Sequence, residues 1–379
     1  MKWRCSAAGG TILNFQAPPG TKISNSPFPA EKERVYIEKA SLHRVRCGHC
    51  HALYQETVDL PTLGKLLDFQ MKNGTDAIIV CGTTGEASTM SYRERMRTIE
   101  FCVDHVDGRL PVIAGTGSNS TENALALSRD AERAGADGLL LVTPYYNKAS
   151  QAGLIRHFQV IADGVDVPLI LYDVPSRTGV TIAPETYAEL AKHPNINGVK
   201  EAGGNFSNIQ KTRNLCPEDF SIWSGNDDET AAICMLGGKG VISVVANVLP
   251  AEMHRLTELC LRNDFAAAGK LQLELKDFCD AMFCDVNPIP VKTALNLLGW
   301  DVGPPAPAVV RPHRGRAGEN QGGPGKARAD LQSISHSRPA KAGRLLFGLF
   351  PGTAAVLLRG QAHLGLSITD AGDFHRQLV

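Results

Sequence analysis

Along residues 60–73 the apolar positions Leu63, Leu66, Leu67 and Met71 recur at helical spacing, and Asn73-Gly74 supplies a stop. A continuous apolar run follows at 77–81, A-I-I-V-C, which is too short for a helix and suits a strand covered on both faces. The alternation then repeats. Runs at 112–114, 138–142, 169–172, 196–199, 221–223 and 240–244 are interleaved with helical stretches such as 120–134, 151–162, 184–191 and 227–235. Doubly buried strands alternating with helices predict an α/β fold with a parallel sheet. The number and spacing of the runs fit a (β/α)8 TIM barrel better than a doubly wound sheet, which would want a G-x-G-x-x-G turn after its first strand. Stretches 251–263, 265–282 and 290–298 read as additional C-terminal helices outside the barrel.

Only seven strand-like runs are visible, so the eighth, the first in the chain, is expected to be missing or altered. The one place for it lies before residue 60, in a stretch with no apolar period of either kind. The chain therefore divides into an atypical segment at 1–56, the barrel core at 57–250, the C-terminal helices at 251–303 and an atypical tail at 304–379. Residues 304–329 are dominated by Pro, Gly, Ala and Arg, a composition that cannot bury a core.

Composition narrows the function. Lys+Arg and Asp+Glu balance at 39 each, which gives no reason to expect a nucleic-acid or anionic-membrane partner. No apolar run approaches membrane-spanning length, and the basic N-terminus has no apolar stretch behind it, so a cytoplasmic protein with ten reduced cysteines is expected. One motif stands apart: Cys47-Gly48-His49-Cys50-His51 has the C-x-x-C-H spacing of haem attachment and could equally supply zinc ligands, with chance occurrence as the plain alternative.

In a barrel of this kind the loops at the C-terminal strand ends build the active site. Four such ends carry candidate chemistry. Gly82-Thr83-Thr84-Gly85-Glu86 offers hydroxyls and backbone N–H groups to a carboxylate, or is a simple capped turn. Thr143-Pro144-Tyr145-Tyr146-Asn147-Lys148 sets two tyrosines beside a strand end, for chemistry or for packing. Tyr172, with Arg177 five residues on, joins a proton carrier to a planar fork for a carboxylate. Lys200 ends the run at 196–199 before a Gly-rich turn, where it either points into water or acts as an amine nucleophile on a ketone.

Together, G-T-T-G-E-A-S-T, T-P-Y-Y-N-K, L-Y-D-V-P-S-R-T-G, V-K-E-A-G-G-N and G-V-I-S-V-V-A-N-V, in this order, resemble the dihydrodipicolinate synthase family. That family belongs to the pyruvate-dependent Schiff-base lyases, which include N-acetylneuraminate lyase. The resemblance runs from about residue 58 to 303. It implies condensation of pyruvate with aspartate 4-semialdehyde, through an imine on Lys200, to give 4-hydroxy-tetrahydrodipicolinate on the lysine and diaminopimelate route. By the same resemblance Tyr172 carries protons in a relay with Thr83 and Tyr146, Thr84 holds the pyruvate carboxylate, and Arg177 binds the carboxylate of the semialdehyde. Gly225 and Ile242 match positions whose backbone approaches the substrate. The resemblance implies no metal and no organic cofactor, and a homotetramer, a dimer of dimers in which Tyr146 reaches the neighbouring site. A sialate or keto-sugar-acid lyase is the alternative within the superfamily, and a metal- or haem-binding protein the alternative outside it. A one-nucleotide shift of reading frame permits G-V-A-T-A-M at 46–51 and L-R-L-P-L at 304–308, which resemble the family's first strand and its continuation, so both ends are expected to be out of frame or disordered.

Overall fold

Helices pack over the outward-facing apolar residues of the sheet, and the first of them shows how. In the computed structural model, which describes residues 46–48, 53–54 and 57–306 with side chains from Val58 onward, α1 is Leu60–Lys72. Asp59 caps it, accepting from the Thr62 N–H at 3.0 Å, and Leu63, Leu66 and Leu67 are buried. These are three of the four positions the periodicity placed there; the fourth, Met71, is half-buried.

The strands in chain order are β1 (Arg46–Gly48), β2 (Leu53–Tyr54), β3 (Thr57–Val58), β4 (Ala77–Val80), β5 (Val112–Gly115), β6 (Gly138–Val142), β7 (Leu169–Asp173), β8 (Ile196–Glu201), β9 (Ser221–Ser224) and β10 (Ile242–Ser243). β2 and β3 pair as a small antiparallel hairpin. The other eight form one sheet in the order β10-β1-β4-β5-β6-β7-β8-β9, with every neighbouring pair parallel. A further parallel bridge, Ser224 to Val241, joins the last strand to the first in that order, so the ring closes into the (β/α)8 barrel.

The slot expected to lack a strand is filled. Arg46 pairs with Ile242 and Ala77, and Cys47 with Ser243 and Ile78, within the segment set aside as atypical. Strand pairing is a backbone interaction, and three residues without an apolar run leave no periodic signal to read. His49, Cys50 and His51 lie outside the described residues, as do most of 1–56 and all of 307–379. Among the described residues no group of His, Cys, Asp and Glu could hold a metal ion, and no helix is long and apolar enough to cross a membrane.

Side chains alternate across the strands. Ile79, Ile113, Leu140, Ile170, Tyr172 and Trp223 form an interior cluster with Ile242, while Ile78, Val80, Leu139, Leu141, Leu171 and Val199 pack outward into the main core beneath the helices. Those helices are α2 (Tyr92–Val106), α3 (Thr121–Arg133), α4 (Gln151–Ala162), α5 (Pro175–Thr178), α6 (Pro184–Leu190), α7 (Phe206–Leu215) and α8 (Thr230–Met235). The C-terminal helices α9 (Pro250–Leu261), α10 (Phe265–Met282) and α11 (Ile289–Leu297) share a second core with Val241, Val244 and Val245. Packing continues past the expected boundary at 303: Ala306 is buried, and its N–H donates to Glu86.

Candidate active site

Lys200 sits next to last in β8, opposite Tyr172 on β7 and Trp223 on β9. Gly198, two residues earlier on the same strand, is needed because an added Cβ would fall 2.1 Å from the Ser221 carbonyl oxygen. Lys200 is only 8% exposed, and its Nζ lies 4.5 Å from the centroid of the Tyr172 ring. A primary amine is thus held against a phenol at the C-terminal end of the barrel, the arrangement proposed for imine chemistry from sequence.

The turn after β4 supplies the carboxylate-holding candidates. Thr83 is half-buried and Thr84 buried, with the Thr84 Oγ1 accepting from Asn287 Nδ2 at 3.0 Å. The turn is bounded by two non-glycine residues in the left-handed region, Cys81 at φ 56° and Glu86 at φ 55°. The T-P-Y-Y-N-K loop carries two more, Tyr146 at φ 72° and Lys148 at φ 47°. Conformations of this kind persist only where surrounding contacts over-determine them, and four of them border two of the candidate loops.

Arg177 stands in α5, exposed, and forms no ion pair with the described residues. Its fork is open to an incoming anion. Gly225 follows β9; its N–H donates to the Glu201 carbonyl at 2.6 Å, and an added Cβ would meet the Ala202 Cβ at 2.6 Å. This close approach fixes the chain beside the end of β8. Ile242 is fully buried in the interior cluster with Tyr172 and Trp223. Tyr146 does not join the group within one chain: it is 90% exposed, and no hydrogen bond links it, Thr83 and the Tyr172 hydroxyl to one another.

Three buried acids around Lys200 escaped the sequence reading. Asp173 and Glu201 are register partners on the outward faces of β7 and β8, one residue beyond Tyr172 and Lys200. Asp173 Oδ2 accepts from the Ile182 N–H at 3.0 Å and the Tyr187 hydroxyl at 3.2 Å, while its Oδ1 meets no donor among the described residues. Burial pushes Asp173 up to about 6. Burial and then the Asp173 charge push Glu201 up to about 7. The third, Asp227, accepts from the Ser243 hydroxyl and from the Val244 and Val245 N–H groups at 3.0 and 3.2 Å. Burial raises it too, with the Ser243 hydroxyl, those two N–H groups and Lys200 pulling the other way. No spacing rule marks such acids, because each becomes informative only once two strands are paired. Position offered one hint: Asp173 and Glu201 directly follow the two residues with assigned chemistry.

Comparison with known proteins bears on this geometry. The model of the dihydrodipicolinate synthetase family matches residues 52–314. The 4-hydroxy-tetrahydrodipicolinate synthase of Caldicellulosiruptor bescii is 54% identical over 251 residues, covering 66% of this chain and 85% of that protein. The crystal structure of a dihydrodipicolinate synthase from Thermotoga maritima superposes with a TM-score of 0.67 at 41% identity, covering 68% of this chain and 89% of the other. A structure described as the first monomeric dihydrodipicolinate synthase variant matches with a TM-score of 0.71 at 38% identity, over 73% of this chain and 93% of that one.

Proposed function

We propose, from the premise that the chain belongs to the dihydrodipicolinate synthetase family, that it condenses pyruvate with aspartate 4-semialdehyde through a Schiff base on Lys200, giving 4-hydroxy-tetrahydrodipicolinate. The observation that carries this reading is the buried Lys200 amine held 4.5 Å from the ring centre of Tyr172 at the C-terminal end of the barrel.

The Lys200 nitrogen attacks the ketone carbon of pyruvate. Loss of the oxygen as water leaves a C=N bond, and protons pass to that oxygen through Tyr172. Removal of a methyl proton converts the iminium to an enamine. Its carbon forms a C–C bond to the aldehyde carbon of the semialdehyde, whose oxygen takes up a proton. Transfer of the product's own amine to the imine carbon closes the ring and releases the Lys200 amine. Thr84 and the backbone of its turn hold the pyruvate carboxylate, and Arg177 holds that of the semialdehyde through a bidentate contact. A short carboxylate suits this fork better than a long polyhydroxylated sugar acid.

Tyr146 enters the site of a neighbouring copy in this reading, completing the relay with Thr83 and Tyr172. Its 90% exposure and left-handed backbone support that role, since an exposed strained tyrosine gains nothing within its own chain. The active species is then at least a dimer, and a cytoplasmic homotetramer, a dimer of dimers, is the form we propose.

Incubation with pyruvate and borohydride should add one reduced pyruvyl group at Lys200, and Lys200→Arg should abolish it because guanidinium stays protonated. Labelling at another lysine would overturn the assignment. Turnover of N-acetylneuraminate without turnover of pyruvate plus the semialdehyde would reassign the electrophile.

A further inference from the structure

The turn that holds Thr84 is fastened by a part of the chain more than two hundred residues away. Glu86 closes that turn in a left-handed conformation, and its carboxylate is wholly enclosed. Oε2 accepts from Lys292 Nζ at 2.8 Å, and neither side chain has any exposure. Oε1 accepts from the Ala306 N–H at 2.6 Å, and Lys292 Nζ also donates to the Pro304 carbonyl at 2.7 Å. Stability alone is a weak reason for such a pair, since burying both ions offsets much of their attraction and apolar residues of similar volume do as well. What the pair provides is registry: one oxygen fixed by α11, the other by the chain leaving it.

A second contact runs between the same two segments. Asn287, just before α11, is buried and donates through Nδ2 to the Thr84 Oγ1 at 3.0 Å. With Thr84 accepting there, its own hydroxyl proton is left to donate elsewhere, the polarity an anion requires.

The structure assigns Asn287 and Lys292 as positioning residues for substrate binding: Asn287 aims the Thr84 hydroxyl, and Lys292 holds the turn through Glu86. The assignment rests on the reading of Thr84 as a ligand of the pyruvate carboxylate. It makes the C-terminal helices part of the pyruvate site, although they contribute no group that touches the substrate.

The test compares Asn287→Ala, Thr84→Val and the double variant, reading steady-state kinetics and the pyruvate dependence of borohydride trapping. Asn287→Ala should raise half-saturating pyruvate about tenfold while kcat falls less than about threefold and KM for the semialdehyde stays put, as expected when one oriented hydrogen bond is lost. The double variant should bind pyruvate no more weakly than Thr84→Val alone, because Asn287 acts only through that hydroxyl. Lys292→Met leaves an unpaired buried carboxylate and should lower the folded yield, so the charged pair is tested by Glu86→Gln with Lys292→Met, which removes both charges. That protein should fold, form the adduct at saturating pyruvate and require several times more pyruvate to do so. Unchanged half-saturation in Asn287→Ala, or additive losses in the cycle, overturns the assignment of Asn287. Unchanged half-saturation in the charge-free double variant overturns that of Lys292. Absence of any adduct at Lys200 in the unmodified protein would instead overturn the functional reading itself.

Discussion

Replacing Glu201 by Gln tests the electrostatics behind Lys200 and should make the protein more stable at neutral and alkaline pH. Glu201 is 7% exposed, faces Asp173 across the β7–β8 register, and has Glu229 and the Tyr187 hydroxyl nearby. Burial, then the Asp173 charge, lifts its pKa from the ordinary 4.5 to about 7, against the pull of the Gly203 N–H that reaches Oε1 at 2.7 Å. The folded state therefore binds the proton more tightly than the unfolded chain does. No penalty exists below pH ~4.5, where both states are protonated; it grows through the window up to ~7 and is complete above it. At about 1.4 kcal/mol per tenfold difference in proton affinity, the rise corresponds to about 3 kcal/mol. Gln keeps an oxygen for the Gly203 N–H and mimics the protonated acid at every pH. The stability difference between Glu201→Gln and the unmodified protein should thus move in favour of the variant by up to about 3 kcal/mol between pH 4.5 and 8. Denaturant unfolding at fixed protomer concentration, across that range, measures it. A difference that stays flat with pH, or falls, refutes the reasoning.

Three further outcomes can be checked directly. Gly225→Ala places a methyl group 2.6 Å from the Ala202 Cβ and 2.9 Å from the Glu201 carbonyl oxygen. It should lower stability by about 1–3 kcal/mol and depress kcat by displacing the end of β8, which a thermal melt and a single-turnover assay would detect. Tyr146→Phe and Lys200→Ala proteins should regain partial activity when mixed under conditions that exchange subunits; no recovery in exchanged oligomers counts against a shared site. Sequencing the encoding nucleic acid tests the frame expectation at 46–51 and 304–308, against which the pairing of β1 and the buried Ala306 count. A confirmed frame together with a soluble, active oligomer would eliminate that expectation.

How much of this could be read from sequence follows from what each interaction leaves in the chain. Strands β4 to β9 announce themselves because burial on both faces favours an apolar run, and Lys200, Tyr172 and Thr84 stand out as candidates because barrels of this kind place their chemistry where such runs stop. β1 gives no such sign, since Arg46–Gly48 contains no apolar run and its place in the ring rests on strand pairing that leaves no pattern in the sequence. Lys292 is the harder case. It lies on α11 among Ile289, Val291 and Leu295, all buried, and a lysine in such a stretch reads as a charge directed to solvent. Its partner Glu86 lies 206 positions earlier and is itself part of a motif that had already been given another meaning. Periodicity reports which face of an element is buried; it is silent on which distant acid makes a buried cation tolerable. The same holds for Asp173 and Glu201, ordinary strand-end polar residues until the β7–β8 register sets them side by side. Charges that act as pairs are legible only after the fold has chosen the partner, so candidates for touching a ligand could be named from the chain while the buried charges packed behind them could not.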